Sequence, residues 1–375
     1  MGDLDIDQAA ELAGQLVAID SINPDLVPGA AGEAALALFV AGWLRNAGLD
    51  VELIEPEPGR PSVVGTLHGS GGGRSLMLNA HLDTVGVAGM LDPFEPRLEG
   101  RRLHGRGAYD MKGSLAAIML AARELSRQGS LRGDLLVTAV ADEEVASLGT
   151  SAVVRRWRAD AAIVTEPTEL SICLAHKGFV WLEVVTSGVA AHGSRPDLGI
   201  DAITKMGRVL VGLEDLAARL PTGGSHPLLG HGSVHASLIE GGRELSTYPD
   251  RCVLKVERRT LPGESPESIQ SELQAIVGRT GDVRVLLARD PSEVSASHPI
   301  VGVVREAAAE RLGTAPPEVG VGYWMDAAIL SSAGIPTVTF GPIGEGAHAA
   351  VEWVDLDSVL ACTEVYVAAA RRFCG

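Results

Sequence analysis

The chain has 375 residues, 46% of them hydrophobic, and 31 Lys+Arg against 48 Asp+Glu give a formal net charge of −17. That length exceeds what one core comfortably supports, so two domains are expected, and the acidic balance speaks against nucleic acid or an anionic membrane as partner. The 4 cysteines show no CxxC spacing, the start at Met1 to Leu12 is acidic rather than basic, and no run approaches the ~18 apolar residues of a membrane span; a reduced, cytoplasmic protein is expected.

From Asp7 to Asn46 apolar residues (Ala10, Leu12, Leu16, then Ala34, Leu38, Trp43, Leu44) recur at helical spacing, broken by the turn-like stretch 21–32. Two helices are therefore expected before the first strand. Strand-like runs follow at 51–54, 62–67, 76–80, 135–141 and 161–164, with a long helix over 112–128. Strands alternating with helices predict an α/β sheet covered on both faces. The glycine-rich turn 69–74 lacks the spacing of a phosphate loop. Near Gly178 the texture changes. Strand 179–186, helix 199–220, strands 233–238 and 252–258, helix 265–277 and strand 282–287 give the order β-α-β-β-α-β, a compact ferredoxin-like α+β layer. From about Ser295 the α/β texture returns, with a helix over 300–312, a strand at 337–340 and a last helix over 356–373. The expected division is a catalytic α/β domain of residues 1–177 and 295–375, its mixed sheet flanked by helices, interrupted by an inserted domain of residues 178–294.

Acids and histidines stand at the ends of these runs. Asp142, Glu143 and Glu144 close the run Leu135 to Ala141, at the C-terminal lip where open α/β sheets place their ligands. His81 and Asp83 follow the strand ending at Ala80, two residues apart and so facing one way, which lets Asp83 orient His81. Asp110 lies in the glycine-flanked segment GRGAYDMKG, where an N-cap of the next helix is the alternative role. Glu166 ends the run at 161–165 and is stopped by Pro167; His348 follows the last strand in GPIGEGAHAAVE. Converging His81, Asp110, Glu144, Glu166 and His348, with Glu143 left over, would force protonation unless cations compensate. Three ligand carboxylates and one hydroxide balance two divalent ions. Mixed His and carboxylate donors suit zinc, with cobalt or manganese tolerated.

With these residues in their order, the chain resembles the M20 family of metallopeptidases and deacylases, especially the branch of acetylornithine deacetylase and succinyl-diaminopimelate desuccinylase. The matching elements are His81-Leu-Asp83, Gly105 to Gly113, Asp142-Glu143-Glu144 with Gly149-Thr150, Glu166-Pro-Thr168, Ala191-His192-Gly-Ser-Arg-Pro196, and Gly346-Ala-His348, spread over nearly the whole chain. The resemblance implies that His81 and Glu166 hold one zinc, Glu144 and His348 the other, and that Asp110 bridges them. It implies further that Asp83 orients His81, Glu143 is the general acid/base, the Asp110-Met111 peptide is cis, and the inserted domain serves dimerisation and lid closure. His192 would reach across a homodimer into the neighbouring subunit's site. Arg259, with Arg258 the adjacent alternative, would bind the substrate's α-carboxylate, for which a planar fork is the right shape. The segment Gly241 to Pro249 lacks the asparagine that many relatives carry before the proline; Ser246 or Thr247 stands nearest.

The reaction so implied is hydrolysis of the amide of a small N-acylated amino acid, acetylornithine being the first candidate. Glu143 would take a proton from the attacking water and return it to the departing amine. An exopeptidase acting on dipeptides or a C-terminal residue is the alternative within the enzyme class, decided by pocket residues such as Tyr323, Trp324 and Asp326. A metal-dependent binding protein without catalysis is the alternative outside it, and no replaced ligand or base signals it. A serine hydrolase is excluded by the lack of a Gly-x-Ser-x-Gly elbow.

Overall fold

In the computed structural model, which describes residues 5–129 and 131–375, the first helix begins where Asp5 accepts a hydrogen bond from the amide of Gln8. Ile6–Val17 then buries Ala9, Leu12, Ala13 and Leu16 at the spacing of one helical face. Helix Ala34–Asn46 follows after the 21–32 interruption.

The chain divides into two compact units: Met1–Leu174, Val294–Val319 and Met325–Gly375 form one, Ala175–Glu293 and Gly320–Trp324 the other. Gly320–Trp324 is a correction to the expected boundaries. It belongs with the second unit because Lys177 donates its amide to the carbonyl of Val321, and Trp324 packs edge-on against His176 and Phe179.

The first unit is built on a mixed sheet in the order Asp50–Ile54, Ser62–Leu67, Leu135–Val140, Leu76–His81, Ala161–Val164, Thr337–Thr339, with Ile172–His176 joining at Cys173 opposite Thr339. The four strands from Leu135–Val140 to Thr337–Thr339 are mutually parallel. Their continuous apolar sequences follow from burial on both faces. Met77, Leu136, Val140, Ala162 and Val164 pack with Val153 of helix Leu148–Arg156 and with Ala327 and Leu330 of helix Ala327–Ser332. The alternate residues Leu76, Leu78, Leu135 and Val137 are equally buried, and helices Gly113–Gln128 and Leu356–Cys374 contact these strands. A small antiparallel sheet, Gly344–Glu345, Trp353–Asp355, Arg102–His104 and Arg97–Glu99, is added to this unit.

The second unit has four antiparallel strands in the order Ser233–Gly241, Arg251–Thr260, Gly178–Ser187, Gly281–Arg289. Helices Ala202–Arg219 and Pro266–Val277 cover one face, burying Met206, Val209, Leu213, Ile269 and Leu273 against Leu182, Val184, Leu254 and Val256. This is the β-α-β-β-α-β layer expected from the sequence. The four cysteines are all buried, and no helix among the described residues is long and apolar enough to cross a membrane.

Candidate metal centre and active site

Parallel strands present their C-terminal ends at one edge of the sheet, and the residues that leave those ends gather there. His81 lies opposite Val140 in the ladder, so the turn Asp142–Glu144 begins beside it, and Glu166 follows the neighbouring strand Ala161–Val164. Asp110 and His348 arrive by another route. His348 sits at φ 63° in the loop joining Gly344–Glu345 to Trp353–Asp355, and the latter strand pairs with Arg102–His104, which leads into the Asp110 loop. Glu352 ties the two together: its carboxylate accepts from the amides of Gly107 (3.0 Å), Tyr109 (3.0 Å) and Asp110 (3.1 Å) and from the Arg106 guanidinium (2.6 Å). Gly346 is required in this loop, since at φ 87° a Cβ would lie 1.8 Å from the carbonyl oxygen of Val351. The Asp110-Met111 peptide is cis.

The two histidines meet the acids at short range. His81 Nε2 lies 3.0 Å from Asp110 Oδ1 and 3.7 Å from Glu166 Oε1. His348 Nε2 lies 3.3 Å from Asp110 Oδ2 and 3.1 Å from Glu144 Oε2. Two trios result, His81/Asp110/Glu166 and Asp110/Glu144/His348, each with donor atoms within 4.8 Å of one another, and Asp110 belongs to both. Asp110 caps no helix; its oxygens face the imidazoles instead.

The electrostatics show a site short of positive charge. Burial raises the Glu143 pKa well above the usual range, and the charge of Glu166 adds to it; burial likewise raises Glu166, reinforced by Asp110. Glu144 is raised by burial despite its hydrogen bond with His348. Burial works against charge on His81, yet the hydrogen bond with Asp110 and the charge of Glu166 outweigh it and raise its pKa. His348 is raised to about 10 by its hydrogen bonds with Asp110 and Glu144. Imidazole and carboxylate oxygens are the donors that a divalent cation such as zinc takes. The residues therefore fit a pair of cations, because three carboxylates, one buried and two largely so, converge with two imidazoles, and the ion pairs these carboxylates make are with the imidazoles.

Asp83 is placed differently from the simple expectation. His81 Nδ1 meets the backbone carbonyl of Asp83 at 2.9 Å, while the nearest carboxylate oxygen is 3.6 Å away. The Asp83 carboxylate instead accepts from the amides of Glu143 (3.0 Å) and Glu144 (3.1 Å) and from the Asn23 side chain (2.8 Å). Asp326, placed by sequence order alone, is buried on the hydroxyl of Thr150, and burial lifts its pKa to about 6. Sequence reading missed Glu352, Asn23 and Arg60 as site supports: Glu352 closes the segment GPIGEGAHAAVE, singled out only for His348, and Asn23 and Arg60 stand in turn-like stretches.

In the second unit, His192 is exposed and its Nδ1 lies 2.8 Å from Ser194 Oγ. Its loop is tied to the segment before Pro249, Gly193 donating to Ser246 and Tyr248 to Ala191. Arg258 is buried against Glu264 and Glu272, whereas Arg259 is a third exposed, pairs through Nε with Glu257 and lies over the Phe179 ring.

Residues 77–372 match the model of peptidase family M20/M25/M40. The chain belongs to this family. It is 33% identical over 390 residues to the acetylornithine deacetylase of Myxococcus xanthus, with 96% of each chain covered. It is 29% identical over 382 residues to the N-formyl-4-amino-5-aminomethyl-2-methylpyrimidine deformylase of Bacillus subtilis strain 168, covering 90% of this chain and 89% of that one. Of solved structures, aminopeptidase PepT of Bacillus cereus ATCC 10987 superimposes with a TM-score of 0.82 at 20% identity over 99% of both chains. The Bacillus subtilis YXEP protein, a dinuclear metal binding peptidase of family M20, superimposes with a TM-score of 0.75 at 17% identity over 98% of both. The M20 fold is thus shown, and with it a hydrolase whose family acts on amino acid or peptide substrates.

Proposed function

We propose that this M20 chain is a two-metal amidohydrolase that removes the acyl group from a small N-acylated amino acid, in the manner of the acetylornithine deacetylase it is similar to. The observation that carries the reading is the pair of donor trios sharing Asp110, with Glu143 beside them on the same turn as Glu144. His81 and Glu166 are proposed to hold one ion and Glu144 and His348 the other, with Asp110 between; zinc is the proposed ion, and cobalt or manganese suits the same donors. When bound, the ions supply an acidified water and polarise the scissile carbonyl.

The remaining work falls to the chain. Glu143 Oε takes a proton from the attacking water and delivers it to the departing amine, a role for which a carboxyl with a pKa raised by burial is suited. Arg259 binds the substrate carboxylate; its partial exposure supports it over Arg258, whose guanidinium is already committed to Glu264 and Glu272. His192 is proposed to act on the oxyanion in a partner subunit's site. Support for a homodimer comes from the edge strand Ser233–Gly241, which exposes Leu238 and Ile239. The inserted unit is proposed as the dimerisation and lid domain, and the cytoplasm as the compartment, which suits four buried cysteines.

The test is amine release by metal-reconstituted protein across N-acetyl, N-succinyl and N-formyl amino acids and dipeptides. Turnover confined to one acyl class supports the deacylase reading. Turnover of dipeptides alone replaces it with an exopeptidase.

A further inference from the structure

Behind the Glu143–Glu144 turn lies a buried polar network that the mechanism above does not use. The two side-chain protons of Asn23 are both taken, one by Asp83 Oδ2 at 2.8 Å and one by Asp142 Oδ1 at 2.9 Å. Its carbonyl oxygen accepts from the amide of Asp25, so the side chain is locked in one orientation. Arg60 reaches the same Asp142 oxygen at 2.8 Å, grips Glu33 with a two-pronged contact at 2.7 and 2.8 Å, and meets Asp25 at 2.7 Å. Asn23, Glu33 and Asp142 are wholly buried and Arg60 nearly so.

The far side of this network is the turn itself. Asp142, at φ 70°, accepts on its second oxygen from the amide of Ala146, and Asp83 accepts from the amides of Glu143 and Glu144. Both ends of the turn are thus held by carboxylates, and both carboxylates are held by Asn23. Burying ionised groups in this way is costly and contributes little net stability, so their use is to fix geometry. An apolar residue at position 23 would remove the one side chain that bridges Asp83 and Asp142, leaving Asp142 Oδ1 to Arg60 and Asp83 Oδ2 to the Glu144 amide.

We propose that Asn23 and Arg60 are positioning residues for Glu143 and Glu144, setting the turn so that the base and one ligand carboxylate stand where the reaction needs them. The inference rests on the two-metal reading given above. It makes an asymmetric prediction. The network holds the Glu144 amide through the Asp83 carboxylate itself, whereas it reaches His81 only through the Asp83 main-chain carbonyl, and Glu166 sits on another strand. Loosening the turn therefore weakens the ion assigned to Glu144 far more than the other.

The experiment is competitive titration of Co²⁺ into metal-free wild type, Asn23→Ala and Arg60→Lys, following the cobalt absorption bands, with thermal unfolding and steady-state kinetics alongside. Expected is roughly 10- to 100-fold weaker binding of one of the two ions in Asn23→Ala, the scale usual for residues that orient ligands, with the other ion within about 3-fold. The same variant should lose kcat with little change in KM, and Arg60→Lys, which keeps the charge and loses the fork, should fall between it and wild type. Two sites of unchanged affinity in both variants, or equal weakening of both ions, overturns the proposal, as does failure of both variants to fold, which would make the network purely structural. Wild type that binds fewer than two ions overturns the two-metal reading itself.

Discussion

Glu352 offers the sharpest test of how the Asp110 and His348 loops are joined. Its carboxylate accepts four donors, three backbone amides and Arg106, and the Arg106–Glu352 pair has side chains only 2% and 1% exposed. Burial raises the Glu352 pKa, opposed by the amides of Asp110 and Gly107 and by Arg106, so much of the attraction is offset by desolvation. The pair as a whole is then worth less than the damage from removing one member, which leaves the other buried and unmatched at a cost of about 3–5 kcal/mol. Glu352→Ala should therefore lower Tm by roughly 6–20 °C, at about 2–4 °C per kcal/mol for a domain of this size. Arg106→Met should cost a comparable amount. The double variant Glu352→Ala/Arg106→Met should be less destabilised than the sum of the two, by more than about 1 kcal/mol, because the uncompensated charge disappears. Denaturant and thermal unfolding of the metal-free proteins measure all three. A Tm change under about 2 °C in Glu352→Ala, or strict additivity in the double variant, would refute the reasoning.

Three further outcomes are expected. Gly346→Ala places a methyl group against the Val351 carbonyl at a positive φ, so it should cost more than about 1 kcal/mol and reduce metal content by the ion proposed for His348, read by elemental analysis. Asp110→Ala should lose both ions while Glu144→Ala loses one; retention of two ions by Asp110→Ala would remove Asp110 from the bridging position. In the second unit Glu183 is pulled down to about 2 from its ordinary 4.5 by hydrogen bonds from Arg284 and Lys255. Its folded pKa lies below its unfolded one, so this stabilisation is complete above about pH 4.5 and disappears as pH falls toward about 2. Glu183→Gln should flatten the loss of stability across that window, and an unchanged acid limb would show the group contributes nothing.

How far the sequence revealed this depended on length of signal. The buried parallel strands read clearly, because runs such as Leu135–Val140 are apolar throughout and end in acid, and their shared direction explains why His81, Glu144 and Glu166 converge. The β-α-β-β-α-β order of the second unit was legible from alternation, as in Arg251–Thr260, where every other residue is buried. The small sheet was not: strands of two or three residues, such as Gly344–Glu345 and Arg97–Glu99, carry no periodicity. Ile172–His176, five residues buried throughout, also went unread. Gly320–Trp324 was assigned by sequence order, whereas the contacts of Trp324 with His176 and Phe179 decided its place. Asn23, Glu33 and Arg60 look like ordinary loop and helix-end residues until three distant segments meet around Asp142.

The most direct test compares Glu143→Ala with wild type, both loaded with metal and counted by elemental analysis, for amine release from N-acyl amino acids. A variant that keeps two ions per chain and loses turnover by several orders of magnitude is the predicted result, since the role proposed for Glu143 is to move the proton and Glu144, not Glu143, belongs to the donor trios. Turnover near the wild-type level with both ions bound would contradict the assignment of the base.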